Sequence, residues 1–193
     1  MTPRIVAICG SPRKDGNTET LVKIALEVAK AEGCKTKFIS LRGKKIHGCI
    51  SCFKCVEKKD GRCHGPKDDF HPIFEAIKEA DGLILASPVY FASATAEIKA
   101  VMDRAGMTSK ANDELLAGKV GGPIVAARRA GTVNTYSQLA MFWPINGMIL
   151  VGSTYWNVGF GLMPGEVNKD EEGLKTVEGF GKNLANLLKK LAR

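Results

Sequence analysis

No stretch of this chain is long and apolar enough to cross a bilayer, which takes about 20 residues. The longest candidate, residues 140–152, is broken by Pro144, Asn146 and Gly147. The N-terminus, Met1-Thr2-Pro3-Arg4, runs straight into Ile5-Val6-Ala7-Ile8. No charged segment precedes a longer apolar one, so a secretory leader is not expected and a cytoplasmic setting is. Internal repeats, linkers and low-complexity tracts are absent. Lys and Arg total 28 against 20 Asp and Glu, yet they form only small clusters such as Lys44-Lys45, Lys58-Lys59 and Lys189-Lys190. Without a basic stripe interleaved with aromatics, nucleic acid is not an expected partner. The net charge of +8 still favours anionic ligands or acidic proteins. A Walker lysine, a G-x-G-x-x-G turn, a catalytic triad and an evident carboxylate pair are all missing, so any chemistry is expected to come from bound cofactors.

What is present is a regular alternation. Hydrophobic residues make up 45% of the 193 positions and charged residues 25%, the profile of one globular domain over residues 1–193. Strands are predicted at residues 5–9, 35–41, 82–86, 120–127 and 148–152. Helices are predicted at 18–31, from Asp68 or Asp69 to Ala80, at 95–105, at 132–143 up to Pro144, and at 170–191. In the first helix Leu21, Ile24, Ala25 and Val28 recur at helical spacing, and Gly33 closes it. Phe70, Ile73, Phe74 and Ile77 mark an inward face in the next. Alternating strands and helices imply an α/β fold, a doubly wound parallel sheet with helices on both faces. Five strands suit the flavodoxin-like order 2-1-3-4-5, whose ligands sit beyond the strand ends at the switch between the first and third strands. Two connections are too long to be mere links. Residues 42–67 form an inserted cysteine-rich loop. Residues 153–169, with Tyr155, Trp156 and Phe160, read as an ordered interface or a lid.

Between the first strand and its helix lies Gly10-Ser11-Pro12-Arg13-Lys14-Asp15-Gly16-Asn17-Thr18. A turn there brings backbone N–H groups to a helix N-terminus, where the dipole favours an anion. Arg13 adds a charge, and Ser11, Asn17 and Thr18 can donate hydrogen bonds. The plainer reading is a polar turn in which Asn17 or Thr18 caps the helix. Across the same switch point, Ser87-Pro88-Val89-Tyr90-Phe91 offers an aromatic turn for a flat heterocycle. These segments, with residues 93–104 ending in Lys99-Ala100-Val101-Met102-Asp103-Arg104, resemble the flavodoxin-like NADPH-dependent FMN reductase family from residue 4 to about residue 139. The resemblance implies that Ser11, Arg13, Asn17 and Thr18 hold an FMN phosphate. It places Pro88, Val89, Tyr90 and Phe91 against the isoalloxazine, with Ala127 and Gly131 lining the flavin after the fourth strand. Two departures stand out. The phosphate loop has one extra residue between Arg13 and Gly16, and Arg128-Arg129-Ala130-Gly131-Thr132 replaces the family's Gly-Gly-Gln-Glu stretch.

Of six cysteines, Cys9 and Cys34 fall in or beside strands and read as small buried hydrophobes. Cys49, Cys52, Cys55 and Cys63 follow the spacing C-x2-C-x2-C-x7-C. Three thiols on one tight loop suit the corners of a cubane, and the Asp60-Gly61 turn can return Cys63. A four-thiolate zinc site and a thiol–disulfide switch remain open on the residues alone. His47, His64 and His71 flank the loop as surface residues or hydrogen-bond partners. Lys54, Lys58 and Lys59 are solvated charges or stabilisers of a reduced cluster. On this fold the spacing resembles the iron–sulfur flavoproteins of anaerobic microbes. That resemblance implies a [4Fe–4S] cluster exchanging electrons with FMN, fed by a one-electron donor such as ferredoxin, in a homo-oligomer. The alternatives are an NAD(P)H-dependent FMN or quinone reductase whose cysteine loop binds zinc or stays empty, and a colourless zinc-loop sensor without enzymatic activity.

Overall fold

The computed structural model of the chain describes residues 2–192. Strand β1 (Arg4–Cys9) is buried after its first residue and pairs in parallel with β2 (Lys35–Ser40) and β3 (Gly82–Pro88). Outside β3 come β4 (Val120–Ala127) and β5 (Ile149–Leu150), giving the order β2-β1-β3-β4-β5. This is the expected order. Side chains alternate across β1: Ile5 and Ala7 join the core under one face, Val6 and Ile8 the core under the other. Helices α1 (Asn17–Ala31) and α7 (Glu171–Leu191) cover the first face. The second carries α3 (Phe70–Glu79), α4 (Ala96–Ala111), α5 (Thr132–Ala140) and the short α6 (Phe142–Ile145), which holds Pro144. Phe70, Ile73, Phe74 and Ile77 of α3 are all buried, as their spacing requires. Among the described residues, no helix is long and apolar enough to cross a membrane.

Four elements depart from expectation. The helix expected over 132–143 ends at Ala140, and Pro144 sits inside α6, in a first turn whose N–H groups need no helical partner. The predicted fifth strand pairs over only Ile149 and Leu150, and β6 (Val158–Phe160) then takes up the pairing farther along β4. The break explains why a central strand tolerates Pro123. Its carbonyl points to the gap between β5 and β6 and accepts from the Asn157 side chain at 3.0 Å, so its missing N–H falls where no strand needs one. Helix α4 continues six residues past Ala105, because Gly106 is a packing position rather than a stop. A Cβ there would meet Phe142 at 3.4 Å. Inside the cysteine loop, Lys54–Lys58 forms the five-residue helix α2. Segment 153–169 is ordered by β6 and by a 3-10 turn at Glu166–Lys169.

Candidate functional site

The carboxyl ends of β1 and β3 open into a cleft of about 180 Å³ lined by Ser11, Arg13, Asn17, Thr18, Pro88, Val89, Tyr90, Ala126, Arg128, Gly161 and Leu162. Seven of the ten residues expected at the flavin meet there. Phe91, Ala127 and Gly131 are not on its wall. Gly10 makes the crossing of β1 into the loop possible, since a Cβ there would lie 2.5 Å from Thr95 Oγ1. Thr95 fastens the two sides of the switch point. Its hydroxyl donates to the Gly10 carbonyl at 3.0 Å and its N–H to Ser87 Oγ at 2.9 Å.

Neither Asn17 nor Thr18 caps α1. The cap position is Gly16, in extended conformation, and no side chain bonds the first free N–H groups. Asn17 Oδ1 instead accepts the Val167 N–H at 3.3 Å, and Arg13 Nη1 donates to the Leu162 carbonyl at 2.7 Å. The strap over residues 161–167 is thus drawn onto the loop between β1 and α1, which puts Gly161 and Leu162 in the cleft. Glu19, buried in the first turn, is offset by Lys23 at 2.7 Å and Arg42 at 3.4 Å, so the end of α1 keeps its positive character. Opposite, Tyr90 and Ser93 exchange backbone hydrogen bonds at 2.9 and 3.0 Å around Phe91 and Ala92. Both central residues are left-handed, with φ of 48° and 61°, a strained choice for residues other than glycine. Phe91 stands fully in solvent at the tip. Gly131, with φ of 89°, lies behind this turn, where a Cβ would press on Val89 at 2.8 Å.

A second site lies on the cysteine loop. Cys49, Cys52, Cys55 and Cys63 all line one cavity, walled on its other side by Arg104, Met107 and Thr108 of α4. The loop curls because Ser51 and Phe53 adopt left-handed backbone, φ 50° and 54°, between consecutive cysteines. Gly61 turns it back with φ of 71°, and the Arg62 N–H donates to Asp60 Oδ1 at 3.1 Å. Asn112, at the end of α4, clamps both arms. Its Oδ1 accepts the Gly61 N–H at 2.8 Å and its Nδ2 donates to the Cys55 carbonyl at 3.4 Å. Burial pushes the Cys55 thiol up, and the neighbouring Cys63 and Cys52 add to that. The enclosed space is about 20 Å³, and no set of three or more Cys, His, Asp or Glu closes into a metal-binding group among the described residues. Cys49 is exposed, and Ile50 and Phe53 stand in solvent, so the cavity's outer side faces solvent. His64 Nε2 bonds Asp60 at 2.9 Å and His47 Nδ1 bonds Asp68 at 3.2 Å, the hydrogen-bond roles expected of them, whereas His71 is half-buried and its buried Nδ1 has no hydrogen-bond partner among the described residues. Cys9 and Cys34 are buried away from the loop, and burial raises the Cys9 thiol to about 11.

Several site residues escaped the sequence reading. Arg128 sits in the departing stretch after β4, and Gly161 and Leu162 in the long aromatic connection. Arg104 closes the Lys99–Arg104 motif, but nothing local ties it to the cysteine loop, and Asn112 carries no signal, because the loop partners of both lie tens of residues away.

The sequence profile of the NADPH-dependent FMN reductase family matches residues 3–162. An iron–sulfur flavoprotein of Methanocaldococcus jannaschii is 39% identical over 96% of this chain and 97% of its own length. One from Methanosarcina thermophila is 33% identical over 96% and 95%. Among solved structures, a WrbA-like flavodoxin from Agrobacterium tumefaciens superposes with a TM-score of 0.71 at 16% identity, covering 98% of this chain and 99% of that one. FerB, an NAD(P)H:acceptor oxidoreductase from Paracoccus denitrificans, gives 0.70 at 18% identity, covering 98% of each. At such identities these two likenesses speak for the fold alone.

Proposed function

The chain belongs to the NADPH-dependent FMN reductase family, grouping with its iron–sulfur flavoproteins, and on that premise we propose that this oxidoreductase passes electrons between a one-electron donor such as ferredoxin, a [4Fe–4S] cluster on Cys49, Cys52, Cys55 and Cys63, and FMN. FMN exchanges one electron or two and the cluster one, so together they join one-electron donors to two-electron acceptors. The observation that carries the reading is the convergence of four thiols, from two arms of a curled loop, on one cavity.

The uncapped start of α1 fits a phosphate. Its free N–H groups, the Ser11 and Thr18 hydroxyls and the Arg13 guanidinium would hold the anion. Arg128 adds a second charge on the wall. Pro88, Val89 and Tyr90 would flank the ring. At the second site the donors are thiols alone, a set that iron–sulfur clusters favour. A cubane takes thiolates at its corners, farther apart than four thiolates around one ion. Exposed Lys54, Lys58 and Lys59 make the rim basic, which suits an acidic donor protein. Exposed Tyr155, Trp156, Leu162 and Met163 suit a subunit contact in a homo-oligomer. A reducing cytoplasm would keep the thiols available.

The test is anaerobic purification with an absorption spectrum and assays for flavin, iron, sulfide and zinc. The expected result is one FMN per chain with iron and sulfide in equal amounts, lowered by Cys63→Ser and unchanged by Cys34→Ser. Flavin with zinc, or with no metal, would replace this reading by that of an NAD(P)H-dependent reductase. A colourless protein would end both.

A further inference from the structure

Arg104 is fully buried, and its guanidinium donates only to the cysteine loop and to Asp68 just beyond its end. Nη1 donates to the Asp68 carboxylate at 2.6 and 2.8 Å and to the His47 carbonyl at 3.3 Å. Nη2 donates to the Pro66 carbonyl at 3.1 Å, and Nε donates to Cys63 Sγ at 3.4 Å. The plane lies over the Phe70 ring, 4.1 Å from its centroid. His47 precedes the first cysteine of the run and Pro66 follows the last, so one side chain ties both ends of the segment that carries all four thiols.

Burying a guanidinium costs several kcal/mol unless it is paired. Asp68, itself buried, supplies the counter-charge and also accepts the His47 N–H at 2.8 Å and the Phe70 N–H at 3.1 Å. That pairing explains why the charge is tolerated but not why Nε points at sulfur. A protonated thiol is a weak acceptor and a poor use of a buried guanidinium N–H. A thiolate is a charge-assisted acceptor, and thiolate is the form in which cysteine binds metal.

Resting on the cluster reading above, we propose that Arg104 is the positioning residue of this site. It fixes Cys63, the outlying thiol of the four, and steadies the negative charge that the site gains on reduction. Hydrogen bonds to ligand sulfur and local net charge are among the determinants of cluster potentials. Because Asp68 neutralises the guanidinium overall, the influence is short-ranged and falls on the sulfur that Nε touches. Lysine cannot replace it, since an ammonium lacks the planar fork that reaches Cys63, Asp68 and Pro66 together.

The experiment uses anaerobically prepared full-length protein in three forms: wild type, Arg104→Lys, and the paired replacement Arg104→Met with Asp68→Leu. The pair removes both buried charges together, so that the fold survives. Iron and sulfide are assayed first, then the cluster and flavin potentials are followed by paramagnetic resonance and absorbance. Both variants are expected to hold a cluster harder to reduce, by about tenfold at a fixed ambient potential, or 59 mV for one electron. The flavin potential should not move, which a general loosening of the fold would not spare. In the metal-free proteins, amides between residues 47 and 66 should exchange faster than in wild type. Loss of iron from Arg104→Lys at native circular dichroism also supports the positioning role. Fully loaded variants with the wild-type cluster potential would overturn it while leaving the cluster reading intact. A wild type without iron or sulfide would overturn the cluster reading first and this inference with it.

Discussion

Breaking the buried Arg104–Asp68 pair from one side should cost far more than removing it whole. Both side chains are essentially inaccessible, 0% and 1% exposed, so neither charge left alone can recover water. Arg104→Met strands a carboxylate that still holds the N–H groups of His47 and Phe70. Asp68→Leu strands a guanidinium with only carbonyls, a sulfur and the Phe70 ring for company. Loss of one partner of a buried pair typically costs about 3–5 kcal/mol, while apolar replacement of both is often near neutral. The double variant forfeits bonds to His47, Pro66 and Phe70 as well, so a net loss of about 1–2 kcal/mol is expected. The coupling between the two changes should therefore be several kcal/mol. Urea unfolding of the four proteins, metal-free and with constant m-value, measures it as a double-mutant cycle. Acid adds a second reading. Burial opposes the Asp68 charge, but the His47 N–H and Arg104 outweigh it and hold the carboxyl below the usual range. A lowered folded pKa gives stability that is present above the unfolded value of about 3.9 and is lost as pH falls through the folded one. The double variant should lack that part of the acid loss. A single Arg104→Met that costs under about 1 kcal/mol, or additive singles, would refute the reasoning.

Arg13→Ala should weaken FMN binding by about 1.5–3 kcal/mol, roughly ten- to a hundredfold by flavin fluorescence; unchanged affinity would remove the phosphate assignment. Two glycines of α7 should respond oppositely to alanine. At Gly181 a Cβ runs into the Ala25 carbonyl where α1 crosses, so Gly181→Ala should cost about 1–3 kcal/mol, while at Gly179 it meets only the movable Ser153 hydroxyl at 2.9 Å and helix propensity should make the change neutral or favourable by up to about 1 kcal/mol in thermal unfolding. Asn112→Ala should release the Gly61 arm of the cysteine loop, costing about 1–2 kcal/mol and speeding hydrogen exchange at Gly61.

Local signals were read where the chain writes them locally. The strand order followed from alternation, the α3 face from Phe70, Ile73, Phe74 and Ile77, and seven cleft residues from two turns at one switch point. Three kinds of feature were not legible. Helix α2 is too short for periodicity and starts from a left-handed Phe53 that sequence does not announce. At Gly106 the same residue type that stops helices serves close packing against Phe142, which only the partner reveals. The contiguous apolar residues Met148 to Val151 predict the fifth strand as one run. Its pairing nevertheless lapses opposite Pro123 and resumes at Val158, inside a stretch dominated by glycine and aromatics. Arg104 shows the limit most clearly: the Lys99–Arg104 motif marks the residue but not its burial, which depends on Asp68, 36 residues earlier.

Helix α4 decides how the two sites stand to each other. Its start is pinned to the cleft by Thr95, through Ser87 and Gly10. Nine residues on, Arg104 holds one wall of the cysteine cavity, and Asn112 holds the loop arms at the far end. At 1.5 Å per residue, Arg104 lies about 13 Å along the axis from Thr95. Gly106 against Phe142 and the buried Ile98, Val101 and Ala105 fix that axis to the sheet. The cysteine loop, by contrast, is held largely by contacts to this helix and has little regular structure of its own. The separation between cleft and thiols is therefore a property of a packed helix, while the thiol geometry is a property of the loop it carries. No residue is shared between the two walls. Changes in the loop can alter what the thiols bind without moving the cleft, and only changes that shift α4 itself can alter both.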